Sequence, residues 1–263
     1  MVAVTGVVGA GVVVTGGGKG IGRAIAHKMA AGGARVVVND LDRDAAAAVA
    51  REIDGYAVPG DAASDGDVRE LISAAQEYLG TIDVYCANAG IGTRGGPEVP
   101  DEQWLRAWDV NLMAHVRASR DLLPGWLERG AGTFIVTASA AGLLTMLGSA
   151  PYSVTKHAAV AYAEWLAATY GHRGIAVHCI CPQGVRTQML AGSGAAGDAV
   201  LQPTAIDPGD VADALWDAMA SGRFLVLPHP EVHRYYMRRA TDTDRWLAGM
   251  RKLQRQIEEP VSD

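Results

Sequence analysis

The sequence predicts an α/β fold in which one doubly wound parallel sheet carries helices on both of its faces. Seven short, β-branched apolar runs alternate with longer amphipathic stretches along the 263 residues, which is typical of a parallel sheet. The runs are almost continuously apolar, as expected of strands that are covered on both faces. No proline-rich or polar linker divides the chain, and its 49% hydrophobic residues are enough for one large core. We therefore predict a single domain.

The predicted elements follow one another in a regular order. Strands are predicted where β-branched residues cluster, at 12–15, 35–39, 56–59, 83–87, 133–138, 176–180 and 224–227. Helices are predicted where apolar residues recur with the helical period, at about 21–32, 43–53, 66–79, 101–129, 152–172 and 209–221. Right-handed crossovers between the parallel strands then give the doubly wound arrangement known as the Rossmann fold.

Two regions interrupt this alternation. Residues 188–208 are rich in Gly and Ala and weakly periodic, so we predict a mobile loop or lid there. Residues 1–228 form the predicted Rossmann domain, and residues 229–263 form a C-terminal helical extension packed on that domain or on a neighbouring subunit. The apolar side chains of the extension recur on one helical face, namely Trp246, Met250, Leu253 and Ile257. Asp242 or Thr243 could cap this helix.

Charge and composition exclude several classes of protein. The 29 acidic residues outnumber the 23 Lys and Arg, and the chain lacks the basic stripe of a nucleic-acid binder. No apolar stretch reaches the ~20 residues of a membrane span, and the Gly-rich start lacks the basic segment of a signal peptide. We expect no nucleic-acid partner, no membrane partner and a cytoplasmic location.

The cysteines and histidines predict neither a disulfide framework nor a metal site. Three cysteines are too few for such a framework, and a reduced intracellular protein is the simple interpretation. Cys179 and Cys181 alternate in a predicted strand, and we expect them to point to opposite faces. His229 and His233 have the spacing of helical metal ligands, but no third ligand is evident.

A glycine-rich loop joins the first predicted strand to the first predicted helix. Glycine permits a close approach of the backbone to a ligand, and the N–H groups at a helix start favour a pyrophosphate. The spacing differs from G-x-G-x-x-G, so a purely structural turn stays an alternative at this point. The predicted phosphate-binding residues are Gly16, Gly18, Lys19, Gly20, Ile21 and Gly22.

Asp40 predicts which dinucleotide would bind. It follows the second predicted strand, 18 residues after Gly22, close to where an acid binds the ribose hydroxyls of NAD. A carboxylate there also repels the 2′-phosphate of NADP, whereas Lys19 would neutralise that phosphate. We weigh Asp40 more heavily, because it would contact the 2′ position directly, and predict NAD over NADP. An ordinary helix-capping acid is the alternative interpretation of Asp40.

A second set of residues predicts proton transfer. Tyr152 and Lys156 are spaced i, i+4 in a predicted helix and therefore share one face. Ser139 follows a predicted strand, at the sheet edge where ligands bind, and Asn111 lies inside the fourth predicted helix. With these residues the chain resembles the single-domain short-chain dehydrogenase/reductase family over roughly residues 10–228. The matching motifs are Thr15-Gly16, Gly20-Ile21-Gly22, Asp61, Asn88-Ala89-Gly90, Asn111, Ser139, Tyr152-x-x-x-Lys156, Pro182, Gly184 and Thr187.

The residue types of this set define the expected chemistry. Tyrosine has an unperturbed pKa near ~10, and a nearby ammonium group lowers the pKa of an acid by about 1–3 units. Tyr152 beside Lys156 can therefore act as general base in oxidation and general acid in reduction. The resemblance implies that Lys156 also binds the nicotinamide ribose and that Ser139 holds the substrate oxygen. It further implies that Asn111 positions, through water, a proton relay to Lys156.

The resemblance also implies the remaining cofactor contacts. It places Asp61 and Ala62 beside the adenine, and Asn88, Ala89 and Gly90 along the adenine-side ribose. It places Pro182, Gly184, Val185 and Thr187 near the nicotinamide, with Val185 and Thr187 at its carboxamide. The chain departs from the family pattern at Ala87, where asparagine is usual, and at Gln183, which separates Pro182 from Gly184.

These observations predict an oxidoreductase that transfers a hydride between NAD(H) and an apolar secondary alcohol or ketone. The apolar side chains expected around the substrate are Leu143, Leu144, Met146, Leu147, Met189 and Leu190, with Arg94 and Arg186 as the basic residues among them. The resemblance implies a homodimer or homotetramer built on the helices predicted at 101–129 and 152–172. An NADPH-dependent carbonyl reductase is the first alternative, and a non-catalytic dinucleotide sensor is a remote one.

Overall fold

The computed structural model describes residues 7–194, 197 and 200–258. Its strands are β1 (Gly11–Thr15), β2 (Arg35–Asn39), β3 (Tyr56–Ala57), β4 (Val84–Ala87), β5 (Gly132–Thr137), β6 (Ile175–Ile180) and β7 (Leu225–Val226). Its α-helices are α1 (Gly20–Ala31), α2 (Arg43–Glu52), α3 (Asp65–Leu79), α4 (Asp101–Trp108), α5 (Ala114–Arg129), α6 (Ala150–Tyr170), α7 (Gln188–Ala191), α8 (Pro208–Ser221), α9 (Pro230–Thr241) and α10 (Thr243–Glu258).

All seven strands form one parallel sheet in the order β3-β2-β1-β4-β5-β6-β7. The predicted doubly wound fold is confirmed, and each predicted strand is present. β3 and β7 are shortened to two residues because they are the edges of the sheet, where pairing is available on one side only. The chain reverses its direction of winding between β1 and β4, so a crevice opens beyond their carboxyl ends.

Two apolar layers cover the two faces of the sheet. Val12 and Val14 of β1 lie in one layer with Ile25 and Met29 of α1. Val13, between them, lies in the other layer, which also contains core residues of α3, α5 and α6. The period of two along β1 thus divides its side chains between the layers. This packing fixes the strand ends that carry the crevice.

The single helix predicted at 101–129 is wrong in one respect. α4 ends at Trp108, and a π-helical turn, Asp109–Met113, precedes α5. The hydrophobic period of the sequence continues through this turn, so it gives no sign of the interruption. Asn111 lies at the centre of the turn, and such turns are frequent at functional sites.

The C-terminal extension contains two helices, α9 and α10, where the sequence analysis identified one. Asp242 separates them, and its Oδ1 atom accepts a hydrogen bond of 2.9 Å from the backbone N–H of Arg245. It is therefore Asp242, of the two candidates, that caps α10. The predicted apolar stripe of α10 is half-buried, whereas the rest of the helix is largely exposed. Residues 259–263 of the predicted extension lie outside the described residues.

The region predicted as a lid, 188–208, contains α7 and a short 3₁₀ turn, Gln202–Thr204. Residues 195, 196, 198 and 199 of this region lie outside the described residues. Val185 pairs with Ile206 in an isolated parallel bridge. The bridge joins the two ends of the region next to the sheet.

The expectation for Cys179 and Cys181 is wrong. Residues two apart in a strand share a face, and the two Sγ atoms lie 3.8 Å apart in one apolar layer. Both thiols are free and buried, as is that of Cys86. No helix among residues 7–194, 197 and 200–258 is long and apolar enough to cross a membrane.

Candidate active site

A large cavity of about 1810 Å³ opens at the carboxyl edge of the sheet. The predicted site residues that line it are Gly16, Lys19, Gly20, Ile21, Gly22, Asp40, Asp61, Ala62, Asn88, Ala89, Gly90, Ser139, Tyr152, Lys156, Pro182, Val185 and Thr187. Three predicted residues lie behind its wall, namely Gly18, Asn111 and Gly184. The volume exceeds the roughly 300–1,000 Å³ of a pocket for one small ligand, so there is room for two.

The glycine loop allows the start of α1 to approach Asn88 on the β4 side of the cavity. Gly20 begins α1 with φ of +55°, a conformation that strongly favours glycine. A Cβ atom on Gly22 would lie 2.1 Å from the carbonyl oxygen of Gly16 and 2.5 Å from Nδ2 of Asn88. The first turn of α1 lines the cavity and carries no acidic residue. It can therefore hold a pyrophosphate on its free N–H groups.

Asp40 is fixed by the backbone on both sides of its carboxylate. Its Oδ2 atom accepts the N–H of Gly18 at 2.9 Å, and its Oδ1 atom accepts the N–H of Asp42 at 3.0 Å. The residue is 7% exposed and lines the cavity. Lys19 lies 3.7 Å from the carboxylate of Asp42, so its charge is partly balanced. The sequence analysis did not consider Asp42, although an acid two residues after Asp40 was visible.

Thr15 and Asn88 join β1 to β4 where the winding reverses. The Oγ1 atom of Thr15 accepts the N–H groups of Asn88 and Ala89 at 3.0 and 3.1 Å and donates to the carbonyl of Cys86 at 3.2 Å. Nδ2 of Asn88 donates to the carbonyl oxygen of Thr15 at 3.0 Å. Thr15 was quoted as part of a motif, but the sequence analysis gave it no role.

Asp61 lines the cavity, and its carboxylate is paired. Its Oδ2 atom is 2.9 Å from Arg106 of α4, and its Oδ1 atom accepts the N–H of Ala63 at 2.9 Å. The backbone N–H of Asp61 donates to Asp67 at 2.8 Å. Sequence analysis missed Arg106 and Asp67, since neither belongs to a motif. Ala62 follows Asp61 on the same cavity wall.

Ser139, Tyr152 and Lys156 converge at one point of the cavity. The Ser139 hydroxyl is hydrogen-bonded to the Tyr152 side chain, and its Oγ atom also accepts the N–H of Ala141 at 3.1 Å. Nζ of Lys156 lies 5.7 Å from the ring centre of Tyr152 and donates to the carbonyl oxygen of Thr137 at 2.8 Å. α6 brings Tyr152 and Lys156 onto one face, as their spacing predicted.

The pKa of Tyr152 moves opposite to the sequence prediction. Burial raises the pKa of the phenol, and the hydrogen bond from Ser139 opposes this only in part. Burial also lowers the pKa of the Lys156 ammonium to about 8. Loss of hydration disfavours the charged forms of both groups. In the protein alone, this loss outweighs the hydrogen bond from Ser139 to the phenol.

Asn111 is completely buried and uses its whole side chain inside the protein. Its Oδ1 atom accepts the N–H of Ile91 at 2.9 Å, while Nδ2 donates to the carbonyl of Ile91 and to Oγ1 of Thr155, each at 3.0 Å. A Cβ atom on Gly90 would lie 3.2 Å from Nζ of Lys156 and 3.3 Å from Oδ1 of Asn111. Asn111 thus joins the loop after β4 to α6, next to Lys156. Thr155 was not singled out in the sequence.

The turn at Pro182 joins the two halves of the cavity. The carbonyl oxygen of Pro182 accepts the N–H of Ala140 at 2.8 Å, beside Ser139. A Cβ atom on Gly20 would lie 3.1 Å from Cγ2 of Thr187, so the segment after the turn touches the glycine loop. Gly184 passes so close to Leu201 that a Cβ atom would lie 2.2 Å from its carbonyl oxygen. Sequence analysis considered His229 only as a metal ligand, whereas in the structure it hydrogen-bonds this turn from the C-terminal extension.

The outer part of the cavity is largely apolar. Loop residues and helices α7, α9 and α10 supply its apolar side chains: Leu144, Met146, Met189, Leu190, Tyr235, Trp246, Met250 and Leu253. The two arginines expected there, Arg94 and Arg186, both line the cavity, and Arg186 is paired with Asp207 at 2.6 Å. Arg238 of α9 also lines it and was not expected. Leu143 is buried beside this wall.

No group of three or more potential metal ligands occurs within the described part of the chain. Two buried polar atoms of cavity residues, Oδ1 of Asn39 and Oγ1 of Thr137, have no hydrogen-bond partner among the described residues. Orphaned buried acceptors are rare in folded proteins. The residues that carry them, Asn39 and Thr137, line the cavity.

Comparison with known proteins agrees with this geometry. Residues 10–197 match the family described as short chain dehydrogenase. The chain is 38% identical, over 83% of its length and 82% of the relative's, to the 1-deoxy-11-beta-hydroxypentalenate dehydrogenase of Streptomyces exfoliatus. It is 36% identical to the 2,5-dichloro-2,5-cyclohexadiene-1,4-diol dehydrogenase of Sphingobium indicum, over 68% of this chain and 74% of that one.

A solved structure is similar over almost the whole chain. It is a short chain dehydrogenase/reductase from Burkholderia phymatum in complex with NAD, with a TM-score of 0.83 and 27% identity. The similarity covers 97% of this chain and 99% of that one. Both the family match and the curated relatives extend over most of the length that the sequence resemblance predicted. The chain therefore belongs to the short-chain dehydrogenase family.

Proposed function

We propose that the chain transfers a hydride between NAD(H) and a secondary alcohol or ketone, with Tyr152 as the general acid and base. The observation that carries this proposal is the convergence of Ser139, Tyr152 and Lys156 in a cavity whose other end is the glycine loop. The relatives named above are dehydrogenases of hydroxyl compounds by their names. An oxidoreductase of CH–OH groups is the function that the family and the site share.

NAD fits the residues at the inner end of the cavity. The start of α1 would hold the pyrophosphate, and Asp40 would bind the hydroxyls of the adenine-side ribose, since each of its oxygens keeps a lone pair free. Asp61 and Ala62 would flank the adenine, and Asn88, Ala89 and Gly90 would border the ribose. Val185 and Thr187 would contact the carboxamide, and Lys156 the second ribose. When bound, NAD supplies the hydride acceptor.

The side chains at the other end manage the proton on the substrate oxygen. Ser139 would donate a hydrogen bond to that oxygen, and Tyr152 would remove its proton during oxidation or return it during reduction. Burial raises the pKa of Tyr152, so the phenol needs a neighbouring ammonium group to lose its proton near neutral pH. Lys156 would provide this charge, and Asn111 would hold the loop after β4 against α6, the helix that carries Lys156.

The outer wall supports an apolar substrate. Its leucines, methionines and aromatic rings match a ring-containing alcohol, and the two curated relatives carry ring compounds in their names. We infer that the wall contributed by α9 and α10 selects for substrate size. An NADPH-dependent carbonyl reductase is the second candidate, and the observation that favours it is Lys19 beside the glycine loop. Its pairing with Asp42 weakens this case.

We further propose a cytoplasmic homodimer or homotetramer. Free, buried cysteines support a reducing location. Apolar side chains on neighbouring helices support an interface, since Leu105 and Trp108 of α4 are 63% and 40% exposed and Trp165 of α6 is 52% exposed. Sedimentation at micromolar concentration should show an oligomer, and a monomer alone would contradict the interface.

Titration with NADH and with NADPH, followed by nicotinamide fluorescence, tests the cofactor assignment. We expect tighter binding of NADH, because the Asp40 carboxylate lies where a 2′-phosphate would lie. Asp40→Ala should raise the affinity for NADPH roughly tenfold, since one like-charge contact of about 1.4 kcal/mol is removed. Asp44→Ala, an exposed acid of α2, is the control. Tighter NADPH binding by the wild type would favour the carbonyl reductase, and no binding of either would refute the proposal.

A further inference from the structure

We infer that His229 of the C-terminal extension is a positioning residue for the nicotinamide half of the dinucleotide, an inference that rests on the proposed function. The imidazole ring acts through the turn at Pro182, Gln183 and Gly184, which it holds by the backbone. The juxtaposition is unexpected from sequence, since 45 residues separate His229 from Gly184. His229 immediately precedes α9 and is 2% exposed.

Two hydrogen bonds join the imidazole to consecutive residues of the turn. The backbone N–H of Gln183 donates to Nδ1 at 3.1 Å, and Nε2 lies 3.1 Å from the carbonyl oxygen of Gly184. A carbonyl oxygen can only accept, so Nε2 carries the ring proton and Nδ1 is the free acceptor. Both bonds exist together only in this neutral tautomer. A metal at His229 is incompatible with this use of both nitrogens.

The turn is where the chain departs from the family pattern, because Gln183 separates Pro182 from Gly184. The backbone N–H of Gln183 lies in a part-buried region, and a buried donor needs a partner. His229 is that partner. The side chain of Gln183 is held on the opposite side, where Nε2 donates to Oγ1 of Thr204 at 3.0 Å. Gln183 is thus fixed through its backbone and through its side chain.

The turn leads directly to the residues proposed to contact the nicotinamide. The carbonyl of Pro182 accepts the N–H of Ala140, next to Ser139. Val185, directly after the turn, lines the cavity, and Thr187 follows against Gly20 of the glycine loop. His229 itself is outside the lining of the cavity. It can therefore influence the dinucleotide only by fixing the backbone between Pro182 and Thr187.

The experiment compares two ligands that share one half. NADH carries the nicotinamide, whereas ADP-ribose carries only the adenosine, the pyrophosphate and a ribose, which the glycine loop and Asp40 would bind. In His229→Leu, both hydrogen bonds are lost with little change in volume. We expect the dissociation constant for NADH to rise roughly tenfold, as for one unpaired buried donor, and that for ADP-ribose to stay within about twofold. Calorimetric titration gives both constants.

Two further variants make the result specific. His229→Gln places an amide where Nε2 lies and can donate to Gly184, so it should recover part of the NADH affinity. His233→Leu removes an exposed imidazole one turn later in α9 and should change neither constant. Thermal unfolding of each variant is recorded beside the titrations. His229→Gln keeps the test decisive if His229→Leu does not fold.

The outcomes separate the inference from the function on which it rests. Selective loss of NADH affinity with partial recovery in His229→Gln supports the positioning role. Equal weakening of NADH and ADP-ribose, or unchanged binding of both, overturns that role and leaves the proposed function intact. A wild-type protein that binds neither ligand overturns the proposed function and the inference with it.

Discussion

At the scale of single residues, the buried ammonium group of Lys156 lowers the stability of the folded protein. Burial lowers the pKa of its ammonium from 10.5 to about 8. The unfolded chain therefore holds this proton more tightly, and the folded state bears the full penalty at every pH below about 8. Stability should rise as the pH increases from about 8 to 10.5, where the folded protein has released the proton and the unfolded chain has not.

We expect Lys156→Met to raise stability and abolish turnover. The lowered pKa of Lys156 corresponds to a loss of at most about 3 kcal/mol of folding stability at neutral pH. The uncharged methionine side chain does not carry this penalty. The thermal midpoint should rise by several degrees, and turnover should fall by roughly 10²-fold or more. Lys252→Met, on the exposed face of α10, is the control. A lower midpoint for Lys156→Met would mean that its bond to Thr137 outweighs the buried charge.

We expect Tyr152→Phe to lose turnover while keeping the dinucleotide site. The ring remains, but the group that moves the proton is removed, so turnover should fall by roughly 10²–10⁴-fold. The affinity for NADH, measured by fluorescence titration, should stay within about twofold. Tyr236→Phe on α9 removes a phenol outside the cavity lining and serves as the control. Substantial residual activity in Tyr152→Phe would refute the acid and base role.

Sequence reasoning grouped Ser139, Tyr152 and Lys156 but gave the wrong pKa direction for Tyr152. The grouping was predictable because helical spacing places Tyr152 beside Lys156, and a strand end places Ser139 at the crevice. The direction of the pKa shift was not predictable, because it depends on how completely the surrounding elements exclude water. The contact of His229 with the turn was not predictable either, because its hydrogen-bond partners lie about 45 residues earlier in the chain.

At the scale of elements, long periodic segments were predicted well and local interruptions were not. The π-helical turn around Asn111 keeps the apolar period of its neighbours, so sequence alone indicates one continuous helix. The stripe on α10 was predicted from the same period. The sequence did not decide whether the stripe packs on its own domain or on a neighbouring subunit. In the structure, Trp246, Met250 and Leu253 of the stripe line the cavity.

We expect two adjacent residues of α10 to differ in their effect on the substrate. Trp246 lines the cavity and lies 6.4 Å from Tyr235 between ring centres, whereas Leu247 is 46% exposed. Trp246→Ala should raise KM for a bulky hydroxysteroid roughly five- to tenfold, since part of a large apolar contact is lost. KM for cyclohexanol should change less, because a small ring leaves the outer wall uncovered.

Leu247→Ala is the matched control and should leave both KM values unchanged. Steady-state kinetics with both alcohols at saturating NAD gives the comparison. An equal effect of the two variants would show that α10 acts through the fold and not as a wall of the cavity.

At the scale of the whole molecule, buried histidines make the stability dependent on pH. Burial lowers the pKa of His115 from 6.5 to about 3, with Lys156 as a second cause, and burial also lowers the pKa of His178. Between about 6.5 and 3 the unfolded chain binds protons that the folded one does not. The free energy of unfolding must then decrease as the solution becomes more acidic. Each histidine contributes up to about 1.4 kcal/mol per pH unit.

We expect His115→Leu to reduce this dependence. Urea unfolding at pH 7.5 and pH 5 should show a smaller loss of stability in the variant, by roughly 1–2 kcal/mol. Nε2 of His115 has no hydrogen-bond partner among the described residues. Replacing the ring by leucine therefore breaks no hydrogen bond of that atom. His172→Leu, at an exposed position, is the control. An unchanged difference between the two pH values would contradict the assignment to His115.

The hydrogen bonds to the carboxylate of Asp40 also bear on anion binding. Two backbone N–H groups, from Gly18 and Asp42, point at it, and paired amides of this kind form an anion-binding site. The protein therefore carries a small anion receptor that is filled by its own side chain. Under the proposed function, the 2′-phosphate of NADP would compete with the Asp40 carboxylate for the same two donors. Because the backbone supplies the donors, replacing Asp40 does more than remove a repulsion, since it vacates a receptor that is already built.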